Sequence, residues 1–374
     1  MRVGFYSYDV GPSRALGVVA EEAKRRGHEV VVFPPQIRGY AQEHFDEMLD
    51  RDIFVLGLSS FQTQEELALV DVLALHCPLV NVEDVPWSSL RPKARAAAGL
   101  FTRNFIGLPS VVGVALQFGY QENALLCVGP PPHFARVYEE MIADREGVRV
   151  RFKARNQKGD LTDVSPLAVV LYVPGTTQPQ LTNDLLEGAL LAGQRLVDPD
   201  HLSVIFRPHP GERPETEDEK PMYEREFARR ESLLNEIFWR VETGGLSHAQ
   251  IVGAQDVITC WTGGPTESIL GAYAGVDSVF LYNDLCRQML VDQGTSYVRS
   301  DQEWPSEPNG RWFVAELGAT IKVTDHDEME RAISQLLTYD EKLKIRVFQR
   351  NFFPLPQSWD TAPLIVNELE RIVP

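Results

Sequence analysis

The sequence predicts an α/β protein of two parallel-sheet domains facing a cleft, and three observations carry that prediction. The chain has 374 residues, more than one hydrophobic core ordinarily organises. Short apolar runs alternate with stretches of helical spacing, and they do so in both halves of the chain. Between the halves the alternation dissolves into charge, Gly and Asn, in "REGVRVRFKARNQKGDLTDVSP". The expected organisation is a first domain over 1–155, a second over 156–350, and a C-terminal helix over 351–374 that crosses back to the first.

Each element follows from its pattern. "RVGFYSY" reads as a buried strand, "SRALGVVAEEAKRRG" as a helix ending on Gly27, and "HEVVVF" as the next strand. "DIFVLGLSS", the helical "TQEELALVDVLALH" and "PLVNV" continue the alternation; "NALLCVG" and the helical "PPHFARVYEEMIAD" close the half. In the second half, "LAVVLYVP", "HLSVIF", "DVITCW" and "DSVFLYN" read as strands. "LTNDLLEGALLAG", "SHAQIVGAQ" and "TESILGAYAGV" read as helices. "GERPETEDEKPMYERE" is expected to be a solvated loop or an exposed helix start. A helix over about 326–339 precedes a tail that is helical on both sides of a Pro-rich break at "FPLPQ".

Composition excludes several classes. An apolar content of 44% with 24% charged residues is that of a soluble globular protein. A formal net charge of -17 argues against a nucleic-acid partner, because duplex binding needs a basic face that releases counterions. Cys77, Cys127, Cys260 and Cys286 lie far apart with no C-x-x-C, so buried thiols in a reducing cytosol are expected. The first residues, "MRVGFYSYDV", enter a strand pattern directly, and neither a signal peptide nor a membrane span is expected. The histidines form no H-E-x-x-H and no paired Asp-x-Asp sits where a cleft is expected, so no metal is implied.

In open parallel sheets ligands bind beyond the carboxyl ends of the strands. Three such ends in the second half stand out. In "TCWTGGPTES", Gly264 as N-cap would place Pro265 at the first helical position and Glu267 at the third, where a carboxylate suits the helix dipole. Capping leaves Gly263, Thr262 and Thr266 unexplained. Bare glycine backbones admit an anion to free N–H groups, and the threonine hydroxyls add donors. In "IFRPHPGE", Pro208 and Pro210 bracket His209 and stiffen the strand exit. Arg207 and His209 therefore lose little entropy on gripping a phosphate. The bland alternative is a rigid turn with a surface histidine. Gly175 and Thr176 in "VPGTTQP" form a third, weaker candidate.

With these residues in place the chain resembles the GT-B nucleotide-sugar glycosyltransferases and the hydrolysing UDP-N-acetylglucosamine 2-epimerases. "RPHPGE" looks like the His-Pro motif of GT-B sialyltransferases and polyol-phosphate transferases, and "TGGPTES" like the Ser-Gly-Gly-x-x-Glu segment of the epimerases. "NALLCVGPPPHFARVYEEM" is similar to the segment closing the first domain in these families. The resemblance implies that Arg207, His209, Thr262, Gly263 and Gly264 hold a diphosphate and that Glu267 binds ribose hydroxyls. "VNVEDVPWSSLRPK" resembles the epimerases' "HVEAGLR", which places Glu83 on a catalytic acid. Their preceding Asp is Ser59 or Ser60 here, a departure that counts against epimerisation.

The expected activity is thus sugar transfer from a nucleotide-activated donor, UDP-linked first among the nucleotides, with no further cofactor; a nucleotide-sugar 2-epimerase or hydrolase, or a non-catalytic nucleotide-sugar-binding protein, is the alternative reading. A saccharide, a lipid-linked saccharide or a small molecule would be the acceptor. The candidate bases are Glu83, Asp84 and Asp9, with Asp9 alternatively an Asx-turn residue; Ser13 and Arg14, at the opening of the first helix, could touch substrate. From Val85 to Gln121 there is no acid, while Arg91, Lys93, Arg95 and Arg103 are present. That stretch reads either as a solvated helix face or as a patch for an anionic acceptor or membrane surface. The expected location is cytoplasmic, with peripheral membrane contact as the reading of that patch. The sequence is silent on oligomeric state.

Overall fold

The computed structural model describes residues 1–7, 10–33, 42–58, 64–84, 86, 88–90, 92–214, 216–263, 266–292 and 318–373. They fall into two compact units. The first takes Met1–Arg136 and the tail from Pro356; the second takes Val137–Leu290 and 318–355.

In the first unit, β1 (Arg2–Ser7), β2 (Glu29–Val32), β3 (Ile53–Gly57), β4 (Leu79–Val82), β5 (Arg103–Ile106) and β6 (Leu125–Cys127) form a parallel sheet. Its order is β2-β1-β3-β4-β5-β6. The continuous apolar run "IFVLG" of β3 is buried at every position, as a parallel strand covered on both faces must be. The connecting helices are α1 (Val10–Arg25), α2 (Gln42–Leu49), α3 (Gln64–Leu73), α4 (Pro92–Ala96) and α5 (Pro109–Gln117); the chain passes into the second unit within α6 (Phe134–Ile142). One face packs Tyr6, Phe54 and Leu56 against Val70 and Leu73 of α3.

In the second unit, α7 (Arg145–Val150), β7 (Lys153–Asn156) and β8 (Leu161–Asp163) come first. The stretch that reads as patternless in sequence is therefore regular: β7 and β8 form an antiparallel hairpin on the edge of the second sheet. Its exposed side chains carry no apolar alternation, which is why periodicity misses it. Then follow β9 (Val169–Pro174), α8 (Pro179–Leu196), β10 (Leu202–Arg207), α9 (Lys220–Asn235), β11 (Trp239–Glu242), α10 (His248–Gly253) and β12 (Val257–Trp261). After these come α11 (Thr266–Ala274), β13 (Asp277–Leu281), α12 (Asp284–Asp292), β14 (Ile321–Val323), α13 (His326–Leu336) and α14 (Tyr339–Phe352). The expected helix over 326–339 is α13, and α14 is a separate element after it. The acidic excursion is a 3-10 turn at Glu217–Glu219 that feeds the full 16-residue α9, a longer element than the expected loop or helix start.

The second sheet has the order β14-β13-β12-β9-β10-β11-β7-β8. From β9 the chain builds outward through β10 and β11, then returns to β9's other edge and builds through β12, β13 and β14. The reversal places a topological switch point between β9 and β12, where the carboxyl ends of an open sheet leave a crevice. Leu171, Val173, Ile258 and Cys260 of these strands pack on Leu185, Leu186 and Leu190 of α8 and Ile333 and Leu336 of α13.

The last helix, α15 (Ala362–Ile372), belongs to the first unit. Ile365, Val366 and Leu369 join Val3, Phe5, Leu16 and Val19 in one core. On its polar side Glu370 meets Arg26 at 3.2 Å and His28 at 2.9 Å. Among the described residues no helix is long and apolar enough to cross a membrane. Cys77, Cys260 and Cys286 are buried, but Cys127 is exposed, contrary to the expectation for all four thiols.

Candidate functional site

Three strand ends of the second unit meet at its switch point. In register, Arg207 at the end of β10 lies opposite Pro174 at the end of β9. The next residue, Gly175, donates its N–H to Arg207 O at 2.7 Å. A Cβ on Gly175 would stand 2.8 Å from the His209 nitrogen and 3.1 Å from Pro208 Cα. Glycine is needed here because one backbone passes directly over another. The exit "RPHPGE" is thus packed on Gly175, which gives the glycine a structural role. Thr176 is spent locally: its hydroxyl accepts from Gln178 N at 3.1 Å, and its own N–H donates to Thr182 Oγ1 at 2.9 Å. It forms the turn into α8.

The loop after β10 is rigid by construction. Gly211 donates its N–H to His209 Nδ1 at 3.0 Å, and Glu212 donates its N–H to His209 O at 3.0 Å. With Nδ1 accepting, the neutral imidazole carries its proton on Nε2, so the exposed ring presents a donor. Glu212 is locked in turn by Arg230 of α9. Arg230 Nη1 reaches Glu212 Oε2 at 2.7 Å and Nη2 reaches Oε1, with side chains only 7% and 2% exposed. Arg230 Nε donates to Asn183 Oδ1 at 2.8 Å, and its guanidinium stacks 5.3 Å from the rings of Phe206 and Phe227. Arg207 is exposed and gives Nη1 to Leu246 O at 3.2 Å, leaving most of its donor fork to solvent.

At the end of β12 the threonine expectation needs correcting. Thr262 is buried and donates its hydroxyl to Leu281 O at 2.9 Å, so it braces β12 against β13 instead of offering a donor outward. Gly263 has φ +74°, the left-handed region where only glycine is unstrained, so the glycine turns the chain. Gly264 and Pro265, with the capping assigned to them, lie outside the described residues. Thr266 opens α11 and Glu267, half-buried, stands in its first turn.

Two residues with no motif complete the corner. His248, the first residue of α10, meets the Tyr172 hydroxyl at 2.6 Å through Nδ1, and its ring contacts Tyr172 and Trp261. Burial pushes the His248 imidazole below its ordinary value; the Glu267 carboxylate pulls it up, and Arg207 and His209 push it down. Those influences place His248, Glu267, Arg207 and His209 within one electrostatic environment. The sequence signal for His248 is the capping box Ser247–Gln250, which seats it at a helix start just past a strand.

In the first unit Glu83 follows β4 and is 2% exposed. Its Oε1 accepts from Ser89 N at 3.1 Å and its Oε2 from Gly107 N at 2.7 Å. Burial pushes the carboxyl up to about 7 against the opposing pull of those backbone donors. Glu83 thereby ties the exits of β4 and β5 together and holds the 3-10 turn Ser88–Leu90, whose Ser89 O accepts from the buried Tyr120 hydroxyl. Asp84 beside it is also buried. Ser13 is half-buried and Arg14 exposed in the opening turns of α1, which starts earlier than expected, at Val10. Asp9, Ser59 and Ser60 lie outside the described residues. The basic stretch is partly neutralised: Arg103 pairs with Glu368 of α15 at 2.8 Å and Arg95 stacks 4.4 Å over Phe118. Glu368, distant in sequence, answers one of the four cations, and Arg91 lies outside the described residues.

No protein-family model matches the sequence, and no curated protein is similar to it by sequence. Solved structures are similar over the whole length. The UDP-GlcNAc 2-epimerase of Methanocaldococcus jannaschii aligns over 99% of this chain and 100% of its own, with TM-score 0.59 and 14% identity. S. aureus MnaA, solved with UDP, aligns over 99% and 96%, with TM-score 0.60 and 11% identity. Anabaena HepE, solved with UDP and glucose, aligns over 99% and 99%, with TM-score 0.53 and 11% identity. The chain has the GT-B fold. In GT-B terms the second unit is a Rossmann-like sheet whose switch point carries Arg207, His209, His248 and Glu267, and the first is a Rossmann-like sheet with Glu83 and Asp84 at a strand end.

Proposed function

We propose that this GT-B protein is a glycosyltransferase whose second unit binds a nucleoside diphosphate sugar, UDP-linked, and whose first unit receives the acceptor. The observation that carries the reading is the Arg207–His209 exit, held by Gly175 and Arg230 beside the β9/β12 switch point. Two donors of this kind, fixed before the ligand arrives, meet the negative charge that grows on a departing diphosphate. The N-terminus of α11 adds its dipole on the same side. Glu267 would take the ribose hydroxyls. In the step itself an acceptor hydroxyl loses its proton to a carboxylate, with Glu83, Asp84 or Asp9 the candidates. The acceptor oxygen bonds to the anomeric carbon, and the diphosphate leaves with the electron pair of the broken C–O bond. Arg207 and the helix N-terminus supply the counter-charge and His209 a hydrogen-bond donor, so the reading is metal-independent. UDP in the MnaA structure and UDP with glucose in the HepE structure support the choice of donor.

A second reading has its own observation. Glu83, in the segment resembling the epimerases' acid, has its carboxyl pushed up to about 7, a value suited to acid–base work. Incubation with UDP-N-acetylglucosamine and no acceptor decides between them: release of a free, 2-epimerised sugar overturns transfer. The donor assignment is tested by His209→Ala. Because His209 is exposed and its ring makes only the Gly211 N–H bond among the described residues, thermal unfolding should shift little, while calorimetric UDP affinity should fall by about 10- to 100-fold, the loss of one hydrogen bond to a charged group. Unchanged affinity removes His209 from the site.

A further inference from the structure

A cavity of about 300 Å³ lies in the second unit at the opposite ends of the strands from the candidate donor site. Val257 begins β12 and Asp277 begins β13, so it opens on the amino-terminal edge of the sheet. Its walls bring together Arg145, Lys342 and Arg346, with Asp256 and Asp277 as the acids. Asp277 is committed: Oδ1 accepts from Arg346 Nη2 at 2.7 Å, and Oδ2 lies 3.2 Å from Lys342 Nζ. Asp256 stands at the rim, 66% exposed and 3.9 Å from Lys342. Arg145 has no ion pair among the described residues; its Nε and Nη1 donate to the carbonyls of Gly253 and Ala274. Burial pushes the pKa of both Arg145 and Arg346 below the ordinary arginine value, the sign of cations withdrawn from water without full compensation.

In a chain with net charge -17, three convergent cations facing one committed and one solvated carboxylate are not the average surface. The two non-glycine residues with left-handed backbone among the described residues also belong to this corner. Asp256 (φ 54°) lines the cavity and Asp144 (φ 46°) immediately precedes Arg145. Such conformations concentrate at ligand sites. The volume is at the lower limit of small-molecule pockets.

We propose that this cavity binds the phosphate group of a small molecule, held between Arg145, Lys342 and Arg346, at a site separate from the nucleotide-sugar corner. The test is calorimetric titration with inorganic phosphate and, in parallel, glucose 6-phosphate, at constant ionic strength set with chloride. It is run in an Arg207→Ala/His209→Ala background so that phosphate captured at the strand-end corner cannot contribute. One saturable site is expected. Lys342→Met should weaken it at least tenfold, Lys342→Arg should restore it, and Asp256→Asn should tighten it at least twofold by removing the rim charge. Thermal unfolding of each variant is followed alongside, so that a misfolded Lys342→Met is recognised and the Asp256→Asn result decides. Absence of saturable binding, or affinities indifferent to both charge changes, overturns the proposal. Glucose 6-phosphate binding tighter than phosphate identifies a sugar phosphate as the ligand class; equal binding identifies the phosphate group alone.

Discussion

Arg230→Met tests the claim that a buried ion pair in α9 holds the proposed phosphate-gripping loop. Methionine keeps most of the volume and the contacts with Phe206 and Phe227 but removes the charge facing Glu212. The two side chains are 7% and 2% exposed, so the pair belongs with buried ion pairs and not with surface ones. Breaking such a pair from one side leaves an uncompensated charge and costs about 3–5 kcal/mol. Asn183 Oδ1 loses its 2.8 Å donor as well. The folded-to-unfolded ratio should fall by roughly a hundredfold to several thousandfold. Urea unfolding followed by tryptophan fluorescence reads this directly, with Trp239 and Trp261 both in the second unit. The double variant Arg230→Met/Glu212→Gln removes the stranded charge and should recover more than half of the loss. A single variant within about 1 kcal/mol of the parent, the worth of a surface pair, refutes the reasoning. So does a double variant no more stable than the single.

Other predictions follow from the same geometry. Gly175→Ala forces a Cβ into backbone atoms at 2.8, 3.1 and 3.2 Å, so it should cost about 1–3 kcal/mol and weaken UDP binding at least tenfold. Gly113→Ala, in a helix with open space around the added carbon, is the control and should be neutral or slightly stabilising; equal effects of the two would remove the close-approach account. Glu83 gives a pH signature. Its carboxyl is raised in the folded state, so between about pH 4.5 and 7 the native protein holds a proton that the unfolded chain releases, and stability falls as pH rises. The full swing is about 3 kcal/mol, and Glu83→Gln should flatten the profile in that window. Parallel profiles for parent and variant would show that Glu83 carries no such shift.

The helix α9 shows why parts of the site were illegible. Its buried positions are Tyr223, Glu226, Arg230 and Leu233, so half of its inward face is charged. Hydrophobic periodicity cannot register a helix whose burial is made acceptable by Glu212 and Asn183, residues that arrive from other elements. His248 was hidden for a related reason: it acts through Tyr172, in the middle of a strand that reads only as core. The hairpin β7–β8 lacks a buried apolar alternation altogether.

The sequence by itself determined the alternation of strands and helices, the stiff Pro-His-Pro exit and the glycine-rich corner after β12. These depend on period, on fixed φ and on the absence of a Cβ, which are properties of neighbouring residues. Tertiary structure alone decided which strand ends stand side by side. It made Gly175 the surface on which the His209 loop rests and turned the Thr262 hydroxyl inward to Leu281 O. It brought His248 to Tyr172 and Trp261 and Arg230 to Glu212, because sheet order and burial are set by contacts between residues far apart in the chain.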